Sequence, residues 1–218
     1  IKRTNRNTGS SIKTPNYFFF VEHPPVITLG KSGQEKNLLL SKEELERKKI
    51  KFYNTNRGGD ITFHGYGQIV GYPVFDLENF YTDINRYLRA LEEIVISTLK
   101  FYKISSKRSP GETGVWLQPD DSNSRKICAI GVKTSRWVTM HGFALNVDTD
   151  LRYYDYIIPC GIKGKGITSI NREIKKNVSI SEVKKKLLEN IKKTFHANLI
   201  FSVWKTVDNY IFFLWTHN

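Results

Sequence analysis

Two cysteines among 218 residues cannot form a disulfide framework. No apolar run reaches the ~18 residues that a membrane-spanning helix needs, which excludes that class. The opening residues Ile1-Lys2-Arg3-Thr4-Asn5-Arg6 are polar and are not a secretory signal. Methionine does not stand first, so a chain trimmed at its N-terminus is expected, in a reducing, cytoplasmic setting. Metal-ligand spacing is also missing. Cys128 and Cys160 lie 32 positions apart, and His23, His64, His141, His196 and His217 form no close pair, which argues against a structural zinc site. Internal repeats and long low-complexity tracts are absent. A chain of this length is expected to make one domain, residues 1–218, that buries roughly 70–75% of its unfolded surface without covalent staples.

What the chain has in excess is positive charge, +13 net. Between Lys163 and Lys193 stand ten Lys/Arg against three Glu, more than half of that excess. Solubility accounts for it as well as an acidic partner does. Nucleic acid is disfavoured, because the basic residues are not interleaved with aromatics in a recognised motif. A basic rim just downstream of Cys160 suits a negatively charged substrate carrier.

The apolar pattern predicts strands over 16–22 and 26–29, with His23-Pro24-Pro25 between them. Ser41-x-x-Glu44 predicts a capping box opening a short polar helix. A strand is expected over 69–77, with Pro73 marking an edge or a bulge. A long helix capped by Thr82 or Asp83 follows, its apolar stripe set by Ile84, Tyr87, Leu88, Leu91, Ile94, Val95, Thr98 and Tyr102. Strands are expected over 114–117, 127–134 and 137–147, with a polar loop at 119–124. Ser179-x-x-Glu182 opens a second helix with Val183, Leu187, Ile191 and Phe195 facing in, and terminal strands cover 198–204 and 210–215. Strands outnumber helices and do not alternate with them. The expected fold is therefore α+β, a mixed sheet with helices on one face.

Four segments carry candidate chemistry. Arg57 to Gln68 holds four glycines in twelve residues with polar Arg57, Asp60, Thr62, His64 and Gln68, and matches neither a Walker loop nor a dinucleotide fingerprint. It reads as a ligand-gripping loop or as a glycine-rich hairpin. His141 to Asn146 offers Phe143, Ala144 and Leu145 as walls of an apolar slot, or as ordinary strand packing. Cys160 sits in a Pro-Cys-Gly corner before a Lys/Gly run, where exposure and positive surroundings favour a reactive thiol. Cys128 lies within an apolar strand and behaves as a small hydrophobe. Lys126, at the mouth of that strand, is a cation able to lower a neighbouring thiol's pKa.

Together, the stretches Glu22–Gly30, Arg57–Gln68, Gly114–Trp116, Lys126–Val132, Ser135–Val147 and Ile158–Ile162 with Thr168-Ser169 resemble, in order, the lipoyl (octanoyl) transferases of protein lipoylation. The resemblance implies that Cys160 is the acyl-thioester nucleophile and that Lys126 lowers its pKa and shuttles protons. It implies substrate contacts from Arg57, Gly58, Gly59, Asp60, Ile61, Thr62, Phe63 and His64, from Ala129, Ile130 and Gly131, and from Gly142, Phe143 and Ala144. The implied architecture is that of lipoate and biotin protein ligases. No cofactor and no metal are implied. The implied donor is octanoyl-acyl carrier protein. The implied acceptors are lipoyl domains of 2-oxoacid dehydrogenase E2 subunits and the glycine cleavage H protein. Neither nucleic acid nor membrane is an expected partner, and a monomer is expected. The nearest alternative is an ATP-dependent lipoate or biotin ligase of the same architecture. Two departures stand out: Tyr66 replaces a usual proline, and Gln118–Ser124 lengthens a hairpin.

Overall fold

The computed structural model describes residues 14–159, 165–202 and 211–216, so Cys160 to Gly164 lie outside the described residues. The described residues begin with β1 (Asn16–Val21) and β2 (Val26–Leu29), then helix α1 (Lys42–Arg47), β3 (Lys51–Asn54), β4 (Ile61–His64) and β5 (Gln68–Val74). Helix α2 (Ile84–Phe101) leads to β6 (Lys107–Ser109), β7 (Glu112–Leu117), β8 (Arg125–Ser135) and β9 (Val138–Asn146). A six-residue 3-10 helix, Leu151–Tyr156, precedes β10 (Gly166–Ile167), α3 (Ile170–Ile174), α4 (Ile180–Phe195), β11 (Asn198–Ser202) and β12 (Ile211–Thr216).

The large sheet runs β11-β12-β1-β5-β9-β8-β7-β6, with the short β10 beside β8, and a second sheet runs β3-β2-β4. Helix α2 starts where Asp83 accepts the Arg86 N–H at 3.0 Å. Its apolar positions recur every three or four residues, which puts Tyr87, Leu91, Ile94, Val95 and Leu99 on one buried face. Helix α4, capped by Ser179, buries Val183, Leu187, Ile191 and Phe195 in the same way. The two helices pack on each other and on β5, β7, β8 and β9, closing over Phe18, Phe20, Phe75 and Phe143. Each such side chain stabilises the fold by roughly 1.5–3 kcal/mol relative to exposure. The capping box of α1 is complete, with Ser41 and Glu44 each bonded to the other's backbone. The α+β expectation matches this architecture.

Two expectations needed correction. The strand placed at 69–77 ends at Val74 and lies inside the sheet, between β1 and β9, rather than at an edge. Proline is accommodated there because paired positions with β9 end at Gly71↔Phe143, before Pro73. Beyond that point the Thr139 hydroxyl takes over, donating to Pro73 O at 2.8 Å and accepting from Phe75 N–H at 2.9 Å. The second correction is the glycine-rich segment, which contains a strand. β4 alternates buried Ile61 and Phe63 with Thr62 and His64, a period-2 pattern hidden by the flanking glycines.

Candidate active site

A cavity of about 1360 Å³ lies between the two sheets, walled by Thr28, Thr62 and His64 on one side and Val70, Ala129, Gly131 and Ala144 on the other. It is larger than the roughly 300–1,000 Å³ typical of small-ligand pockets. Residues 57–60 cross between the sheets. Gly58 N–H donates to Val132 O at 2.9 Å on β8, while Lys31 N–H donates to Arg57 O at 2.9 Å and Gly30 N–H to Asp60 O at 3.2 Å beside β2. Gly131 makes that crossing possible. A Cβ there would fall 2.6 Å from Gly58 O. Arg57 is turned onto β2, its guanidinium donating to Thr28 O at 2.7 Å and Thr28 Oγ1 at 3.0 Å. Asp60 accepts from Asn37 Nδ2 at 2.6 Å, so its carboxylate holds the Gln34–Asn37 turn against the loop.

The cavity brings together Arg57, Gly58, Gly59, Asp60, Ile61, Thr62, His64, Lys126, Ala129, Ile130, Gly131, Gly142, Phe143 and Ala144. Phe63 does not join them. It is 1% exposed and stacks on Tyr153 at 4.5 Å in the core of the smaller sheet, because β4 turns alternate side chains to opposite faces. Cys160 lies outside the described residues. The lysines of α4 do not line the cavity.

His64 is held by a buried network. Its Nδ1 is 2.8 Å from Gln68 Oε1, and Gln68 Nε2 donates to Asn146 Oδ1 at 2.9 Å and Phe63 O at 3.2 Å. Asn146 in turn donates to Thr168 O at 3.0 Å. With the Gln68 amide nitrogen facing acceptors, its oxygen accepts Nδ1–H, and Nε2 is the bare nitrogen of the neutral ring. Burial pushes His64 down to about 4, outweighing the Gln68 bond, and the charges of His23 and Arg57 push the same way. The unfolded chain therefore takes up a proton below pH ~6.5 that the folded chain refuses, and stability falls as pH drops toward 4. Urea unfolding is expected to show His64→Gln losing less stability than the wild type between pH 6.5 and pH 5, by about 1.5 kcal/mol. Equal losses would refute this reading of His64.

Lys126 is the second residue of β8 and is 8% exposed. Its Nζ lies 4.5 Å from the centre of the Trp116 ring. Lys165 Nζ lies over the same ring at 4.8 Å and donates to Glu112 Oε2 at 2.7 Å. Burial raises Glu112, but bonds from Lys165 and Ser109 and the Lys126 charge outweigh it and leave the carboxyl below its ordinary value. Cys128 is fully buried, and burial pushes its thiol far up, consistent with an inert core position.

Sequence reasoning gave no role to Trp116, nor to the pairing of His23 with His64, whose rings lie 5.7 Å apart. The two histidines are far apart in the chain and meet because β4 and the turn after β1 face the same cavity, so no spacing rule reports them. Among the described residues no group of three or more His, Cys, Asp or Glu is arranged to hold a metal ion, and no helix is long and apolar enough to cross a membrane.

Residues 4–192 match the lipoyl protein ligase A/B catalytic domain. The chain is 60% identical to the octanoyltransferase of Christiangramia forsetii, over 91% of this chain and 86% of that protein. It is 59% identical to the octanoyltransferase of Flavobacterium psychrophilum, over 92% of this chain and 87% of that protein. A putative lipoate protein ligase from T. acidophilum shares the fold, with a TM-score of 0.66 at 16% identity over 89% of this chain and 77% of that one. At that identity the ligase likeness speaks for architecture alone. The chain thus belongs to the lipoyl protein ligase A/B catalytic domain family, with octanoyltransferases as relatives over most of its length.

Proposed function

We propose that this acyltransferase, acting as one catalytic domain in the cytoplasm, works through a Cys160 thioester. Its donor is octanoyl-acyl carrier protein. Its acceptor is a lysine of lipoyl domains in 2-oxoacid dehydrogenase E2 subunits or the glycine cleavage H protein. One observation carries the reading. The described residues that flank 160–164 point to Lys126: Pro159 lines the same cavity as Lys126, Lys165 lies over the Trp116 ring as Lys126 does, and Ile167 pairs with Lys126 across β10 and β8.

In the first half-reaction the Cys160 thiolate attacks the octanoyl carbonyl carbon, the C–S bond to the carrier breaks, and the carrier sulfur leaves with the electron pair and takes the Lys126 proton, which leaves Lys126 as the free amine. In the second, the acceptor lysine amine attacks the octanoyl-Cys160 carbonyl. The new C–N bond forms, the C–S bond breaks, and the amine proton passes to Lys126 in its neutral form. Exchange of one thioester for another is nearly neutral, and amide formation runs downhill, so no ATP is consumed. The octanoyl tail fits the apolar stretch of the cavity formed by Val70, Ile130, Phe143 and Ala144. At ~0.8 kcal/mol per buried CH₂, the tail contributes roughly 5 kcal/mol to binding. Arg57, Gly58, Gly59, Asp60, Ile61, Thr62 and His64 form the opposite wall in this proposal. Phe63 supports that wall from behind.

With octanoyl-carrier and a lipoyl domain as the only additions, the expected product is an octanoylated acceptor lysine. Product that forms only when free octanoate and ATP are supplied would instead support the ligase reading.

A further inference from the structure

Trp116 is one of four described residues that carry a buried side-chain polar atom with no hydrogen-bond partner, and its ring lies beside Lys126. It is 2% exposed, and its indole N–H is buried with no hydrogen-bond partner among the described residues. An unmade hydrogen bond of this kind costs about 1–3 kcal/mol. A phenylalanine would fill much of the space without that cost, so the value of the residue lies in its ring face. Two ammonium groups lie over the ring, Lys126 at 4.5 Å and Lys165 at 4.8 Å. Indole has the strongest face quadrupole of the aromatic side chains, and its attraction for a cation grows as water is removed.

The backbone builds this arrangement deliberately. β7 and β8 pair as Val115↔Cys128 and then as Trp116↔Lys126, with a register shift between the two. Without the extra residue, Ile127 would stand opposite Trp116. The bulge puts Lys126 there instead, a way of re-aiming one side chain from a strand. On the other side, β10 runs parallel to β8 with Ile167↔Lys126, which returns the chain after Cys160 to the same ring. Two like charges on one ring repel each other. Glu112 offsets this by pairing with Lys165 at 2.7 Å, which leaves the ring's attraction to act on Lys126.

We infer that Trp116 is a positioning residue for acyl transfer: its ring face holds the Lys126 ammonium in place, and so supports the Cys160 thiolate. This rests on the Cys160–Lys126 reading proposed above. The effect on the thiol runs through Lys126, and Trp116 itself makes and breaks no bond.

The test is the pH profile of Cys160 alkylation by iodoacetamide. It is measured with tryptophan, with mono- to tetrafluorotryptophan placed site-specifically at position 116, and with Trp116→Phe and Trp116→Leu. Fluorination keeps the ring's shape while draining its face of negative charge, so folding is preserved across the series. The expected result is a graded rise in the alkylation midpoint with fluorine count. At neutral pH the rate falls by about 2- to 30-fold across the series. Trp116→Phe is expected to fall between tryptophan and Trp116→Leu. A profile that does not move across the fluorinated series overturns the inference, as does Trp116→Phe behaving like Trp116→Leu. Lys126→Ala, run beside them, separates the two levels of the argument. If it moves the midpoint and the fluorinated series does not, Trp116 has no positioning role and the thiol–lysine pair stands. If Lys126→Ala leaves the midpoint in place, the pair itself fails and the inference with it.

Discussion

Lys126→Ala is expected to lower octanoyl transfer by about 10²–10⁴-fold, the range of a removed general acid–base group. In the proposed mechanism the lysine has two roles, and a second substitution separates them. As a cation it stabilises the thiolate; as a free amine it accepts the proton of the attacking lysine. Arginine keeps the charge but does not release a proton in a protein. Lys126→Arg is therefore expected to acylate Cys160 faster than Lys126→Ala does, yet to stay slow in passing the acyl group to the acceptor. Single-turnover experiments that follow the acyl-enzyme and the product separately check this. The buried setting sharpens the contrast. A charge that is 8% exposed must be compensated locally, here by the Trp116 face and the nearby Glu112 carboxylate. Removing the lysine disturbs that cluster as well as the thiol. If Lys126→Arg restored both half-reactions equally, proton transfer by Lys126 would be ruled out.

Gly142→Ala is expected to produce the largest loss of stability. A Cβ at this position would fall 1.9 Å from Gly71 O and 2.7 Å from Pro73 Cδ, in the interior of the large sheet. The first obstacle is a backbone atom of β5, which cannot swing aside as a side-chain tip does. The residue before, His141, already takes a positive φ of 62° and is tied to Asn56 Oδ1 at 2.8 Å, so β9 has little freedom to move. Separating β9 from β5 would also displace Phe143 and Ala144, which line the cavity. The expected cost is about 3 kcal/mol or more. A melting temperature lower by roughly 6–12 °C follows for a chain of this size. A thermal melt within a degree or two of the wild type would contradict this. By this argument Gly142 contributes to the site as the point where two strands approach closely.

Much of the architecture was legible because the relevant signals are local. Asp83 and the apolar stripe after it, the Ser41/Glu44 box, and the Ser179 cap each state a helix start within four residues of sequence. The aromatic run Tyr17–Phe20 could hardly be anything but a buried strand. The smaller sheet was not legible. β3 and β4 are four residues each, and they become strands only because β2 lies between them. Pro73 misled for a similar reason: its strand is interior, and a threonine hydroxyl from β9 bonds Pro73 O and Phe75 N–H where the backbone ladder to β9 is interrupted. Arg57, His64, Lys126 and Gly131, which the family resemblance named together, line one cavity. Their division of labour was not legible. Asp60 and Arg57 hold the crossing loop in place, and Phe63 packs behind the wall. The Trp116 platform depends on a one-residue bulge, which leaves no mark in composition or spacing.

The thioester on Cys160 is tested most directly by intact-protein mass spectrometry after mixing the chain with octanoyl-carrier alone, without ATP and without acceptor. The account predicts one octanoyl adduct, mapped by peptide analysis to Cys160, absent from Cys160→Ser and discharged when a lipoyl domain is added. An unmodified protein under those conditions, or an adduct on Cys128 or a lysine in place of Cys160, would contradict it.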